Sequence, residues 1–193
     1  MSKTFAALSM VMSLYTLAPS STPPPKDGTS QVRDGSHDFD FLFGRWKIHN
    51  RRLKEVLSGS VSWYEFDAEL NVRPIWGGIA NMDEYIADDS AHAGRGLTVR
   101  LYNPKSGQWS LHWTGPNADS LDKPVVGEFH NGRGEFFDQE EFRGRMIFVR
   151  YVWMNTSPTT AHWEQAFSVD GGRSWETNWV MEMNRISGPE AVR

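Results

Sequence analysis

After Gly44 no stretch of the chain offers a capped, amphipathic helix of ordinary length. What it offers is alternation: short runs in which apolar and polar side chains take turns, broken repeatedly by Gly, Pro, Asn and Asp. A period of two sends neighbouring side chains to opposite faces, so it restricts the fold to sheet. The runs 44–53, 60–73, 76–86, 96–103, 107–114, 124–130, 133–138, 145–154, 160–169 and 174–184 read as strands. Between them, "YNPKSGQW", "HNGRG" and "VDGGRSW" place Asn, Asp and Gly where tight hairpins need positive φ. About ten consecutive strands joined this way form a meander, and one that long is expected to close, because closure removes exposed edges. The expected fold class is all-β, an antiparallel β-barrel of about ten strands.

The segment before the first strand breaks the period. In "HDFDFLFGRWKIHNRRL", Phe39, Leu42 and Phe43 fall at the spacing of one helical face, with Ser36 as a candidate N-cap. This predicts a short helical plug over one barrel mouth. Gly44 then releases the chain into the first strand, Trp46 lies just inside the closed end, and His49 to Leu53 runs toward the open one.

At 193 residues the chain is long enough for one well-buried core. Nine Trp and eleven Phe either pack that core or line an apolar pocket. The formal net charge of −4, with Lys and Arg scattered apart from "RRLK", excludes a nucleic-acid binder. Cysteine is absent, which removes disulfides, thiolate nucleophiles and thiolate metal sites. The histidines at 37, 49, 92, 112, 130 and 162 contain no H-x-H or H-x-x-x-H pair, so no metal site is expected.

The basic start, the apolar run "FAALSMVMSLYTLA" and the following "PSSTPPP" read as a secretory signal peptide and linker. The run is short for a bilayer span, and without Cys there is no lipoprotein anchor, so no stable membrane anchor is expected. Residues 1–36 are assigned as leader and linker, 37–186 as the barrel domain and 187–193 as a tail. The expected location is periplasmic or secreted if the leader is cleaved, and cytoplasmic otherwise. A homodimer stays open.

Taken together, "FDFLFGRWKIHNRRL" and "AHWEQAFSVDGGRSWETNWVMEMNR" resemble a bacterial family of lipocalin-like domains in the calycin superfamily, whose own activity is not established. The resemblance runs from about His37 to Arg185 and extends more distantly to nitrobindins and fatty-acid-binding proteins. It implies a lipocalin-like barrel with an internal cavity. It does not imply haem: where nitrobindins carry G-x-W-x-G-x-G, Gly44 and Trp46 are followed here by Ile48 and Asn50. No cofactor is expected.

Alternation nominates the cavity residues. Trp46, Asn50 and Arg52 share one face of the first strand, and His49 and Arg51 the other, so one set reaches the mouth. Tyr64 lies on the natural inner face of its strand, which leaves Glu65, Asp67 and Glu69 solvated. Leu97, Val99 and Leu101 are read as continuous with Trp109, Leu111 and Trp113, with Arg100 and His112 on the other side. Trp153, Trp163, Gln165 and Phe167 share a face, and Arg150 with Glu164 forms a candidate cross-strand ion pair. Trp175, Thr177, Trp179, Met181 and Met183 make one face of the last strand. "DGGRSW" reads as a hairpin turn; it has neither the context of a phosphate loop nor the acids of a calcium loop.

The ligand-contacting candidates are therefore Trp46, Asn50, Arg51, Arg52, Tyr64, Trp113, Trp153, Trp163, Gln165, Trp179 and Met181. Rings with a few polar groups suit the binding of a small hydrophobic or aromatic molecule. The alternative is a cofactor-free isomerase, lyase or hydratase in the same cavity, with His49, Glu164 or His112 as acid or base. A third reading is a structural domain. An enzyme should hold a carboxylate or His inside with a shifted pKa, and the alternation puts most acids outside.

Overall fold

The computed structural model describes residues 33–188; the signal-peptide segment lies outside them. Ten strands follow one another: β1 (Gly44–Leu53), β2 (Trp63–Ile75), β3 (Ala80–Ala87), β4 (Gly94–Asn103), β5 (Gln108–Thr114), β6 (Val125–His130), β7 (Arg133–Phe142), β8 (Arg145–Ser157), β9 (Thr160–Ser168) and β10 (Glu176–Ser187). Each pairs antiparallel with its sequence neighbours, and β1 pairs with both β2 and β10, closing the barrel. Among the described residues no helix is long and apolar enough to cross a membrane. The expected strand 76–86 starts late because Trp76–Gly78 form a 3-10 turn, with Trp76 and Gly77 at positive φ.

The plug is a 3-10 turn, Asp40–Leu42, rather than an α-helical one. Ser36 does not cap it: Phe39 holds the N-terminal position, and no side chain caps the turn. Instead, Asp38 N–H donates to Gly35 O and Asp40 N–H to His37 O. Phe39 and Leu42 are fully buried. Phe39 meets Trp109, Phe129 and Trp153 edge-on and stacks on Phe136, which fills the lower barrel with rings. Gly44 makes the turn into β1 at φ 114°, where a Cβ would sit 2.3 Å from the Ser187 carbonyl oxygen; only glycine fits.

Two strand faces differ from what alternation predicts. A four-residue loop pairs Asn103 with Gln108, so odd-numbered residues of β4 face even-numbered ones of β5. Arg100 therefore pairs with Leu111 and Thr98 with Trp113 on the inside. Leu97, Val99 and Leu101 lie outside and Arg100 inside, the reverse of the expected arrangement of β4, while Trp109, Leu111 and Trp113 lie inside and His112 outside, as expected. In β10 the register shifts between Thr177 and Trp179. This bulge leaves Trp179, Met181 and Met183 inside and turns Thr177 and Trp175 to the outer wall, where Arg150 lies 4.8 Å over the Trp175 ring.

Candidate functional site

The lower barrel is solid and the upper barrel is a cup. Its cavity, about 240 Å³, is walled by Trp113, Tyr151, Trp153, Trp163 and Trp179. Leu70, Leu111, Val125, Val149 and Met181 line it further. Trp163 meets Tyr151 and Trp179 edge-on, at 5.0 and 5.3 Å between ring centres. Gly96 makes room for Trp113: a Cβ there would lie 1.8 Å from the indole. Gln165 is on the wall as expected, and its Nε2–H donates to Asn178 Oδ1 at 2.8 Å.

Between core and cup lies a buried polar layer. Arg100 and Asp83 are each about 1% exposed, with Nη2 2.5 Å from Oδ2. That contact is close but not aligned as a hydrogen bond, since Asp83 Oδ2 has no hydrogen-bond partner. Arg100 Nη1–H donates to Asn81 Oδ1 at 3.0 Å, and Asp83 Oδ1 accepts from the Thr98 amide. The guanidinium lies 5.2 Å from both the Phe39 and the Trp153 ring centres, bridging plug and cavity wall.

The mouth carries charge. Arg52, inward on β1, lies 4.2 Å over the Trp179 ring. Across it, Lys123 pairs with Asp138 and donates to the Gln139 carbonyl at 2.9 Å. Asp122 and Glu140 also line the cavity. Glu140 is at the exposed rim, yet its carboxyl is pushed up by partial desolvation and by the Asp138 and Asp122 charges, against Lys123. The Tyr151 hydroxyl is raised by burial and by Glu140, Asp122 and Asp138, with Arg52 opposing. Burial likewise raises Tyr85, partly offset by Arg52 and by its bond to Asn50.

The sequence candidates divide by position. Arg52, Trp113, Trp153, Trp163, Gln165, Trp179 and Met181 line the cavity. Trp46 is fully buried in the closed end, where its Nε1–H donates to Leu42 O at 2.7 Å. Asn50 lies behind the wall: its Oδ1 accepts from Tyr85 Oη at 3.1 Å and Trp179 Nε1 at 3.0 Å, holding two lining residues in place. Tyr64 stacks on His92 and Phe66 rather than lining the cavity. Arg51 is on the outer wall, paired with Glu65 and set over the Trp63 ring.

None of the three catalytic candidates reaches the cup. His49 bonds Asp67 at 3.1 Å on the outer wall, within a ladder that includes Arg45–Glu69 and Lys47–Asp67. His112 faces outward opposite Val99. Glu164 forms the expected ion pair with Arg150, at 3.8 Å, also outside. The expectation that acids face outward holds for Glu65, Asp67 and Glu69 and fails for Asp83, Asp138 and Glu140. In "GEFFDQEEF" the last two share a face with Phe136 and Phe142, so their placement was readable once Phe136 was taken as core. Among the described residues no cluster suited to a metal ion occurs.

No protein-family model matches the chain, and no curated protein matches it in sequence.

Proposed function

We propose that the barrel binds a small, largely hydrophobic or aromatic molecule in the cup. The observation that carries this is the wall itself: four Trp and two Tyr around a cavity of about 240 Å³, with the charged groups gathered at the mouth and in the Arg100–Asp83 layer below. The calycin resemblance supports the same reading. Asn50 acts as a positioning residue, because one carbonyl oxygen holds both Tyr85 and Trp179. Entry of an apolar aromatic compound should quench or shift tryptophan emission in a broad screen. Gln165→Leu keeps the volume and removes an orienting group, so it should weaken compounds with a polar end more than purely apolar ones. If no compound perturbs the emission, the cup is not a binding site.

A second reading, cofactor-free isomerase, lyase or hydratase chemistry, is favoured by one observation. Glu140 is a carboxyl at the mouth whose pKa is raised, as a general acid or base requires. Turnover that Glu140→Gln abolishes even at saturating compound separates enzyme from carrier.

A further inference from the structure

The three cations of the cavity are not equivalent. Arg100 is paired with Asp83 and Lys123 with Asp138. Arg52 has no ion pair among the described residues; it rests on the face of Trp179, whose indole is anchored to Asn50. The carboxylates are unequal too. Asp122, Asp138 and Glu140 line the cavity with a single lysine among them, and the charges acting on Glu140 are Asp138, Asp122 and Lys123.

Topology sets these groups against each other. Arg52 is on β1, whereas Asp122 precedes β6, five steps away around the ten-strand ring in either direction, and Glu140 is on the adjoining β7. The mouth is therefore positive on one side and negative on the other, with rings below. Tyr151, on β8, lies in the fields of both. A ligand with a lone anionic group meets Arg52 but faces the carboxylates. One with a lone cationic group meets the carboxylates but faces Arg52. Only a ligand carrying both charges satisfies both rims.

Resting on the binding reading above, we propose that the cup takes a zwitterionic aromatic molecule, its anionic group against Arg52 and its cationic group against Glu140 and Asp122. The rings receive the apolar body, and the rim selects for the paired charges. Arg52 and Glu140 are specificity-determining residues.

The test uses four naphthalene probes with one ring system, titrated calorimetrically into the full-length protein at neutral pH. They are 3-(2-naphthyl)alanine, 3-(2-naphthyl)propionate, 2-(2-naphthyl)ethylamine and 2-ethylnaphthalene. The amino acid should bind tightest, by roughly fivefold over either single-charge analogue, as suits partly exposed ion pairs. Arg52→Met should weaken the amino acid and the propionate but not the amine. Glu140→Gln should weaken the amino acid and the amine but not the propionate. Both positions are at the mouth and outside the core, and the wild-type ranking needs no variant. A propionate or an amine binding as well as the amino acid overturns the inference. Equal binding of all four overturns it while leaving the cup a binding site, and binding of none overturns both.

Discussion

Arg100 is the residue at which local pattern and fold disagree most. Its neighbours Leu97, Val99 and Leu101 are the apolar set of β4, so alternation alone turns Arg100 outward. The hairpin register overrules that preference, and the Asp83 carboxylate makes the burial tolerable. Buried ion pairs add little net stability, but breaking one by removing a single partner is costly. Arg100→Met should therefore destabilise the barrel by about 3–5 kcal/mol, because Asp83 stays buried without its cation. Asp83→Leu with Arg100→Met should recover most of that loss. Urea denaturation midpoints of wild type, single and double variants check both. A single variant as stable as wild type would show that Asp83 is not desolvated.

At the scale of elements, the β9–β10 hairpin shows how a turn sets a side chain far from the strand pattern. Asp170 accepts hydrogen bonds from the Arg173 and Ser174 amides and from the Ser168 and Ser174 hydroxyls. Ser168 Oγ in turn accepts from the Gly172 amide. The loop is therefore a self-bonded turn, as expected from "DGGRSW", and it delivers Trp175 onto the outer wall. These donors hold the Asp170 carboxyl well below the usual range, with the Ser174 hydroxyl contributing most. A depressed native pKa means that the stabilisation is complete above the unfolded value of about 3.9 and is lost as pH falls below it. Asp170→Asn should show a smaller drop in stability between neutral pH and pH 2 than wild type. Denaturant midpoints measured at several pH values check this; parallel acid-side losses would mean that the turn does not depend on the ionised form.

At the scale of the whole molecule, closure joins the first strand to the last, and Arg185 seals the seam. Its guanidinium lies 4.1 Å over Trp46 and donates to the carbonyls of Phe41, Phe43 and Pro158, tying β10 to the plug and to the β8–β9 turn. Arg185→Met should cost on the order of 1.5–3 kcal/mol, the range for charged hydrogen bonds, and lower the thermal midpoint with the fold retained. Calorimetry with far-ultraviolet circular dichroism checks this. Ten strands, their antiparallel order, barrel closure, the Phe39 and Leu42 plug and the buried Trp46 were all legible in the sequence. Each follows from local rules: period two, turn residues and the avoidance of edges. The inner faces of β4 and of the start of β10 were not, and with them went Arg100 and Trp175. A hairpin of one length or another, or a single bulge, reverses every face beyond it, and neither changes the alternation. The acids of the cup were hidden for a related reason. Asp83 looks like any solvated strand acid until closure brings β3 and β7 around one cavity; Asp138 and Glu140 show only through the face they share with Phe136, and only closure sets Arg52 across from Glu140.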